Sequence, residues 1–553
     1  MNKTKLYSLL LSALLLGSCN DDFLERAPLD EISNETFWQT EDQLVLAVNA
    51  LYANVKAYNT VSMENMGDNT LWPSSTAYQL IGSGNYGNDL ATLNNEYTSQ
   101  YAGVRQANAF LENYQKANVN PARKEALAAE VRVIRALMYS YLVNFWGDVP
   151  LVTKTLTLEE VFVPRTPKEE VLDFVLADLD LAAQHLDPAI PTGANLGRMN
   201  KGAALALKAR IALYHGRYDV AEKAAKDVMD LGVYQLFTSG NPDRNYYDLF
   251  TYKGKLATNN NKETIIARLT IDLLGYYHNL SREIQVPDQV VRWNPTKSLV
   301  DSYLMKDGLP IETSPLYNVT KYEDVFENRD PRMTQTILKP GAAWGGRLDG
   351  RPANQNPDPS IFMVPKFTSD GRGAVTVTGY YFTKYAEIST VGSVSRDYND
   401  IHLLRYAEVL LTYAEARLEQ GKLTQADLDI TINLLRDRVG MKRMDLAELA
   451  ANGLDVREEI RRERRVELAL EGQRYFDIKR WKQGHLLAED TKGTNVNWLS
   501  NPASASNLRR DPQGFIIALS GRTFDPAKHY LWPIPLSQLE RFPGLGQNPG
   551  WDR

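Results

Sequence analysis

The sequence predicts a mostly α-helical protein, in which helical hairpins form a scaffold beside a loop-rich, irregular lobe with a few short strands. Three observations support this fold class. Apolar residues recur at three- and four-residue spacing through much of residues 41–231. Two helix–glycine–helix units are centred on Gly216 and Gly421. Between residues 232 and 400, Gly, Pro, Asn, Asp and aromatic residues become frequent and the helical periodicity weakens.

The composition is that of a globular protein with an ample core. Of the 553 residues, 43% are apolar and 24% are charged, and the formal net charge is −6. A mildly acidic chain lacks the basic surface of a nucleic-acid binder. The single cysteine, Cys19, excludes an internal disulfide and a cysteine-only zinc site.

The first residues have the pattern of a lipoprotein signal peptide. Lys3 and Lys5 precede a short apolar run over residues 6–16, and small residues follow it. The tetrapeptide 16–19, Leu-Gly-Ser-Cys, resembles a lipobox, which implies cleavage after residue 18 and lipidation of Cys19. The residues that follow, Asn20, Asp21 and Asp22, form an acidic patch that resembles the surface-export signals of some Gram-negative lipoproteins. An ordinary signal peptide with an incidental cysteine is the alternative.

Helical periodicity begins just after this leader. Glu41 and Asp42 favour a helix start, and apolar residues from Leu44 to Val55 lie on one face. Pro121 and Pro167 stand where a first helical turn tolerates proline. Further helices are predicted at about 93–116, 121–146, 167–186, 200–215 and 217–231.

Two segments resemble tetratricopeptide-type helical hairpins. In the first, an apolar helix ends at Gly216 and a second helix begins near Asp219. In the second, a helix ends at Gly421 and the next begins near Gln425. A single hairpin cannot bury its apolar face, so we expect several to stack as degenerate repeats.

The middle and the end of the chain carry weaker signals. Residues 264–271 and 374–382 are predicted short strands of the irregular lobe. Residues 486–553 are predicted to be loop-rich, with Pro533 and Pro535 in an aromatic stretch.

Aromatic residues interleaved with polar ones mark candidate ligand contacts in predicted loops. An aromatic ring matches the apolar face of a sugar, and amide or guanidinium groups match its hydroxyls. We predict that Trp72 and Trp293 flank the binding site, and the alternative for each ring is packing inside the lobe. The predicted contacts are Asn69, Trp72, Tyr78, Tyr276, Tyr277, Arg292, Trp293 and, in a Gly-rich loop, Trp344.

Four segments together resemble the SusD/RagB family of outer-membrane nutrient-binding lipoproteins. They are residues 23–38 after the cysteine; 136–151, ALMYSYLVNFWGDVPL; 405–415 with 463–481, the latter ERRVELALEGQRYFDIKRW; and 531–535 with 547–551, LWPIP and QNPGW. They occur in the family's order and span nearly the whole chain.

The resemblance implies a fold built on four tetratricopeptide-like hairpins and a surface protein that captures an oligosaccharide or polysaccharide. It implies delivery of the ligand to a SusC-like TonB-dependent transporter, with the protein lipid-anchored in the outer membrane and facing the exterior. It places sugar contacts in loops after the first helix and in the middle of the chain. No catalysis, cofactor or metal is implied.

The predicted organisation therefore has three parts. Residues 1–18 are a signal peptide, 19–40 a lipidated extended lead, and 41–553 one domain. Within that domain, 41–231 and 401–485 form the scaffold, 232–400 the ligand-side lobe and 486–553 a loop-rich end.

Other functions stay open at this point. One is a surface glycan hydrolase, although no HExxH, GxSxG or Walker motif occurs. Another is a peptide-binding or structural scaffold lipoprotein. The charged residues of 463–480, including Glu463, Arg464 and Glu467, are predicted to form a solvated or ion-paired helix face and not a ligand site.

Overall fold

The computed structural model of the protein describes residues 37–56, 58–258, 261–284, 291–343, 362, 364–368, 375–390 and 396–551. The predicted signal peptide, Cys19 and most of the extended lead lie outside the described residues, as does Trp344. Among the described residues, no helix is long and apolar enough to cross a bilayer.

The first part of the scaffold contains the long helices that the periodicity predicts, each within about one turn of its predicted bounds. Shorter helices lie between the first two long ones. The helices are α1 (Glu41–Leu51), α2 (Tyr58–Ser62), α3 (Ala77–Gly82), α4 (Ala91–Asn113), α5 (Pro121–Trp146), α6 (Lys168–His185), α7 (Lys201–Tyr214) and α8 (Tyr218–Asp230).

The ends of these helices follow from local chemistry. Thr40 and Gln43 form a capping box at the start of α1, in which each side chain accepts a hydrogen bond from the other residue's backbone N–H. Asn120 caps α5, where Pro121 takes the first helical position. Gly147 ends α5 with a φ of 73°, a backbone conformation that side chains other than glycine's rarely permit.

The irregular lobe contains short elements separated by loops. Its helices are α9 (Asn245–Leu249), α10 (Leu280–Ile284), α11 (Lys297–Ser302) and α12 (Pro331–Thr336). The strands β1 (Thr70–Leu71), β2 (Thr264–Arg268), β3 (Asn294–Pro295) and β4 (Ile401–Arg405) form two antiparallel pairs, β1 with β3 and β2 with β4.

The two strand predictions have different outcomes. Strand β2 forms within the predicted range 264–271. The described part of the predicted strand 374–382 contains only isolated bridges, at Val375 and Phe382. The reason is local, since the Thr376 hydroxyl oxygen accepts hydrogen bonds from the backbone N–H groups of residues 378 and 379 and so turns the chain.

The scaffold resumes after the lobe, and the chain ends in a hairpin and a short helix. The remaining elements are α13 (Tyr406–Glu419), α14 (Gln425–Asp429), α15 (Ile432–Val439), α16 (Leu446–Ala451), α17 (Val456–Glu467), α18 (Arg474–Arg480), β5 (Thr491–Asn495), β6 (Phe515–Leu519) and α19 (Leu536–Arg541).

The two predicted hairpins stack on each other in space, although they are far apart in sequence. Helices α7 and α8 pack around the turn at Gly216, and α13 packs against α8 and then α17. Helices α4 to α7 also pack in chain order. The result is the continuous helical layer that stacked hairpins need to bury their apolar faces.

Buried ion pairs join this layer to the irregular lobe. We call Glu263, Arg332, Arg405, Arg438 and Glu467 the ion seam. Glu467 accepts hydrogen bonds from all three arginines, and Arg405 also donates to Glu263 at 2.7 Å. The charged side chains of 463–480 are therefore ion-paired, as predicted, and most of them are buried. Their partners come from both the lobe, as with Arg332, and the scaffold, as with Glu408.

The C-terminal segment packs into the scaffold core. The ring of Trp532 stacks on Phe145 with centroids 3.8 Å apart, and Trp146 Nε1 donates a hydrogen bond to the carbonyl of Pro533 at 2.9 Å. The C-terminal segment therefore covers the ends of α5 and α18 and belongs to the scaffold, not to the irregular lobe.

Candidate functional site

The pairing of β1 with β3 brings the two predicted ligand-contact stretches together. Thr70 faces Pro295 and Leu71 faces Asn294 across this two-residue antiparallel ladder. Trp72 follows the first strand and Trp293 precedes the second, so the two indole rings lie side by side. Their centroids are 5.1 Å apart and their planes meet at 80°, an edge-to-face contact.

Trp72 is the partly exposed member of the pair. The guanidinium group of Arg292 lies over its ring, 5.9 Å from the centroid. The backbone N–H of Trp72 donates a hydrogen bond to Gln79 Oε1 at 3.2 Å, which fixes the start of the following loop. The next residues include exposed Ser74 and Ser75, whose hydroxyl groups can hydrogen-bond a ligand beside the ring.

Trp293 is fully buried beneath this surface, with 0% exposure. Its Nε1 donates a hydrogen bond to Glu283 Oε2 at 3.3 Å, and the Tyr58 hydroxyl donates to the same oxygen. The Tyr58 ring also contacts Trp293 edge to face, with centroids 6.2 Å apart. Trp293 therefore supports Trp72 and offers no exposed face to a ligand.

Sequence reasoning missed Tyr58 and Glu283. Burial raises the pKa of the Glu283 carboxyl, while the hydrogen bonds from Tyr58 and Trp293 lower it in part. Burial, followed by the charge of Glu283, raises the pKa of the Tyr58 hydroxyl, which keeps it a donor. Tyr58 precedes Asn59, the same aromatic–polar pattern that marked the other candidates, so a signal for it was present.

Asn69 is also buried, and its side-chain amide is occupied by protein partners. It donates to Glu64 Oε1 at 2.7 Å and accepts from Arg465 Nε at 2.8 Å. With both ends bonded, the amide fixes the segment that leads into β1 and does not face a ligand.

Tyr78, Tyr276 and Tyr277 differ in what their side chains contact. The hydroxyl of half-buried Tyr78 donates to Glu96 at 2.5 Å, within the scaffold. Tyr276 is 61% exposed. The Tyr277 hydroxyl donates to Asp272 at 2.6 Å, and the Arg396 guanidinium lies over its ring.

Tyr276 and Tyr277 belong to an exposed loop that also presents Leu273, which is 96% exposed. This loop leads through His278 into α10, the helix that carries Glu283. The structure therefore connects the tyrosine loop to the base of the Trp72–Trp293 pair through one short helix.

A polar cleft of about 340 Å³ opens on the other side of Tyr58. Its lining includes Asn54, Asn59, Gln100 and Arg268. The Gln100 Oε1 atom is buried and has no hydrogen-bond partner among the described residues. Amide and guanidinium groups in this arrangement suit the hydroxyl belt of a sugar.

A second cleft, of about 600 Å³, has a different character. Its lining includes Asp68, Asp301, Glu489, Arg465 and Arg522, and none of its described lining residues is aromatic. It therefore lacks the flat apolar face that a sugar ring stacks on. Among the described residues, no three His, Cys, Asp or Glu side chains cluster in a way that could hold a metal ion.

Comparisons with known proteins identify what this chain is similar to. The model of the SusD family matches residues 282–551, and a second family model, described as starch-binding associating with outer membrane, matches residues 22–213. A SusD-like protein of Bacteroides ovatus is 25% identical over 510 residues, which cover 87% of this chain and 82% of that protein.

Solved structures show the same fold. A SusD-like carbohydrate-binding protein from Bacteroides fragilis is 29% identical, with a TM-score of 0.78 over 93% of this chain and 100% of that one. A second SusD-like protein of that species is 28% identical, with a TM-score of 0.75 over 95% of this chain and all of the other. The predicted fold class, a mostly helical scaffold with a few short strands, is confirmed.

Proposed function

Because this chain belongs to the SusD/RagB family, we propose that it captures an oligosaccharide or polysaccharide and delivers it to a SusC-like TonB-dependent transporter for import. It is a SusD-like surface glycan-binding protein associated with the outer membrane. Proteins of this family bind glycans without catalysing a reaction, so the chain is not an enzyme.

The observation that supports the location of the glycan site is the partly exposed ring of Trp72 on a buried base. Trp293, Glu283 and Tyr58 hold that ring in place from below, so little conformational entropy is lost when a sugar stacks on it. Arg292 and the exposed serines beside the ring supply hydrogen-bonding groups for sugar hydroxyls.

The predicted contact residues take different roles in this proposal. Trp72 stacks on the sugar, and Arg292, Tyr276 and Tyr277 bind its polar groups. Trp293 and Asn69 position the surface from within, since they are buried and bonded to protein partners. Tyr78 positions it through its hydrogen bond to Glu96 of the scaffold. Trp344, which lies outside the described residues, remains a proposed contact.

Delivery of the ligand to a transporter requires that the protein itself is held at the outer membrane. We propose that Cys19 is lipidated and anchors the chain in the outer membrane, with the lobe facing the exterior. Affinity purification of the tagged protein from detergent-solubilised outer membranes tests the partnership. A co-purifying TonB-dependent barrel protein is expected, and its absence under conditions that preserve other outer-membrane complexes contradicts the proposal.

The capture role is tested by titrating the purified protein against a panel of poly- and oligosaccharides and analysing the same samples for breakdown products. Saturable binding of at least one glycan without products is expected. Products would restore the hydrolase alternative. Binding to peptides but to no glycan would favour the peptide-binding alternative.

A further inference from the structure

A cleft of about 820 Å³ lies on the scaffold, where α5, α7 and α18 end and the C-terminal segment crosses them. Its lining shares no residue with the Trp72–Trp293 surface or with the cleft beside Tyr58. We call it the cationic cleft, because its described lining contains five cationic side chains and a single carboxylate, Asp148. The cationic residues are Arg165, Lys168, Lys479, Arg480 and Lys482.

Two of the five cationic side chains form ion pairs with carboxylates that lie outside the cleft. Arg480 pairs with Glu415, and Lys168 contacts Glu169 at 3.2 Å. Arg165, Lys479 and Lys482 remain, and within the lining they face Asp148 alone. The positive charge therefore exceeds the negative charge inside the cleft.

Lys479 is the most unusual of these groups. Its side chain is buried, with the residue 8% exposed, and Nζ donates one hydrogen bond, to the carbonyl of Asn144 at 3.1 Å. No carboxylate of the described residues pairs with it. Nζ also lies over the ring of Tyr475, 5.0 Å from its centroid. An ammonium group carries three N–H donors, so these two contacts leave it able to donate to an anion. Burial and then the charge of Lys482 lower the pKa of Lys479 to about 7.

His215 presents a second unsatisfied group to the same cleft. Its Nε2 is buried and has no hydrogen-bond partner among the described residues. Burial and the charges of Lys168, Arg217 and Lys479 lower the pKa of His215 to about 3, so the ring is neutral at physiological pH. A neutral imidazole can carry its proton on Nε2 and donate it to an acceptor.

The helix ends explain only part of this arrangement. Each of the three helix C-termini carries a partial charge of about −0.5, which favours nearby cations. The carbonyl of Asn144 and the ring of Tyr475 contact Lys479 Nζ, but neither is an anion, and the Nε2 atom of His215 has no hydrogen-bond partner among the described residues. Buried polar groups normally have partners, so their convergence points to a missing acceptor.

We propose that the cationic cleft is a second binding site, which takes an oxyanion, either free as sulfate or phosphate or carried on a sugar as a sulfate or carboxylate group. Lys479 and His215 donate hydrogen bonds to the anion from the cleft wall, and Arg165 and Lys482 compensate its charge. This site does not depend on the proposed glycan site at Trp72.

The test is isothermal titration of the purified protein at pH 6.5 and constant ionic strength. Inorganic sulfate and phosphate represent the free anion, D-glucuronate and D-glucose 6-sulfate the sugar-borne one, and neutral glucose is the control. Saturable binding of at least one anion is expected, with no response to glucose. The arm with the highest affinity identifies the source of the anion.

Two variants locate the site. Lys479→Met should weaken anion binding at least about tenfold, because a charge-assisted hydrogen bond is lost. Its melting temperature in anion-free buffer should equal or exceed that of the wild type, since a buried unpaired charge is removed. Lys482→Asn changes an exposed residue whose φ of 58° suits asparagine, so it should fold normally and bind a few-fold more weakly.

The matched control is Lys223→Met, an exposed lysine of α8 that pairs with Asp227, and it should bind as the wild type does. The proposal is overturned if the wild type binds none of the four anions. It is also overturned if Lys482→Asn and a folded Lys479→Met both bind with wild-type affinity. Should Lys479→Met fail to fold, Lys482→Asn decides by the same criterion.

Discussion

The indole rings of Trp72 and Trp293 meet edge to face, 5.1 Å apart, with one ring partly exposed and the other fully buried. A two-residue strand ladder between Thr70–Leu71 and Asn294–Pro295 creates this contact from segments more than two hundred residues apart. The two residues have different roles, because Trp72 presents a ring face to solvent and Trp293 holds that ring in position from the interior.

The buried ring should be essential for stability. Trp293→Ala removes a fully buried indole and the hydrogen bond to Glu283, which should lower the free energy of unfolding by about 3–5 kcal/mol. Trp293→Phe keeps most of the packing and should cost less. Urea denaturation measures both, and an unchanged midpoint in Trp293→Ala would contradict the placement of this ring.

The ion seam should respond strongly to the loss of one partner. Arg405→Met leaves Glu263, Glu467 and Glu471 buried with less compensating charge, so we expect a loss of about 3–5 kcal/mol in unfolding free energy. Arg443→Met is the matched control, because Arg443 forms an exposed pair with Asp437 and should change stability little. Equal effects of the two substitutions would contradict a buried seam.

Acid should destabilise the fold through the same carboxylates. Burial alone raises the pKa of Glu471, but the charges of Arg405 and Lys384 lower it to about 2. A carboxyl whose folded pKa lies below its unfolded value of about 4.3 stabilises the fold above that value and loses this contribution as the pH falls towards 2. Urea midpoints should therefore fall between pH 4.5 and 2, and a flat profile across that range would be inconsistent with the pairing.

The membrane anchor is predicted to depend on one residue. Cys19→Ser should abolish incorporation of labelled palmitate and release the protein from the membrane fraction, because the chain has no other cysteine to acylate. The wild type, expressed in the same cells, is the control. Palmitate labelling of Cys19→Ser would rule out Cys19 as the lipid attachment site.

Much of the scaffold could be predicted from the sequence because its signals are local. Helix α5 runs from Pro121 to Trp146, the predicted range, since proline marks its first turn and Gly147 ends it. Gly216 likewise separates α7 from α8. These boundaries depend on neighbouring residues only, and neighbouring residues are what periodicity and capping rules report.

For the candidate site, the sequence predicted which stretches of the chain take part but not the role of each residue. The sequence indicated the two stretches that meet, but the ladder of β1 and β3 is too short to give a strand pattern, so their pairing carried no signal. Whether Asn69 and Trp293 face a ligand or the interior depends on tertiary contacts, which for Asn69 include Arg465 and for Trp293 include Tyr58. The charged residues from 463 onwards were expected to form a solvated or ion-paired helix face, and which of the two holds depends on partners such as Arg332 and Glu408 that periodicity does not report.

The measurement that tests the central claim most directly is the affinity of Trp72→Ala for the glycan that the wild type binds best. Trp498→Ala is the matched control, a partly exposed tryptophan that contacts Phe515 in the C-terminal hairpin. Trp72→Ala should fold normally and bind at least about tenfold more weakly, while Trp498→Ala keeps wild-type affinity. Wild-type affinity in a folded Trp72→Ala protein would show that the glycan binds elsewhere.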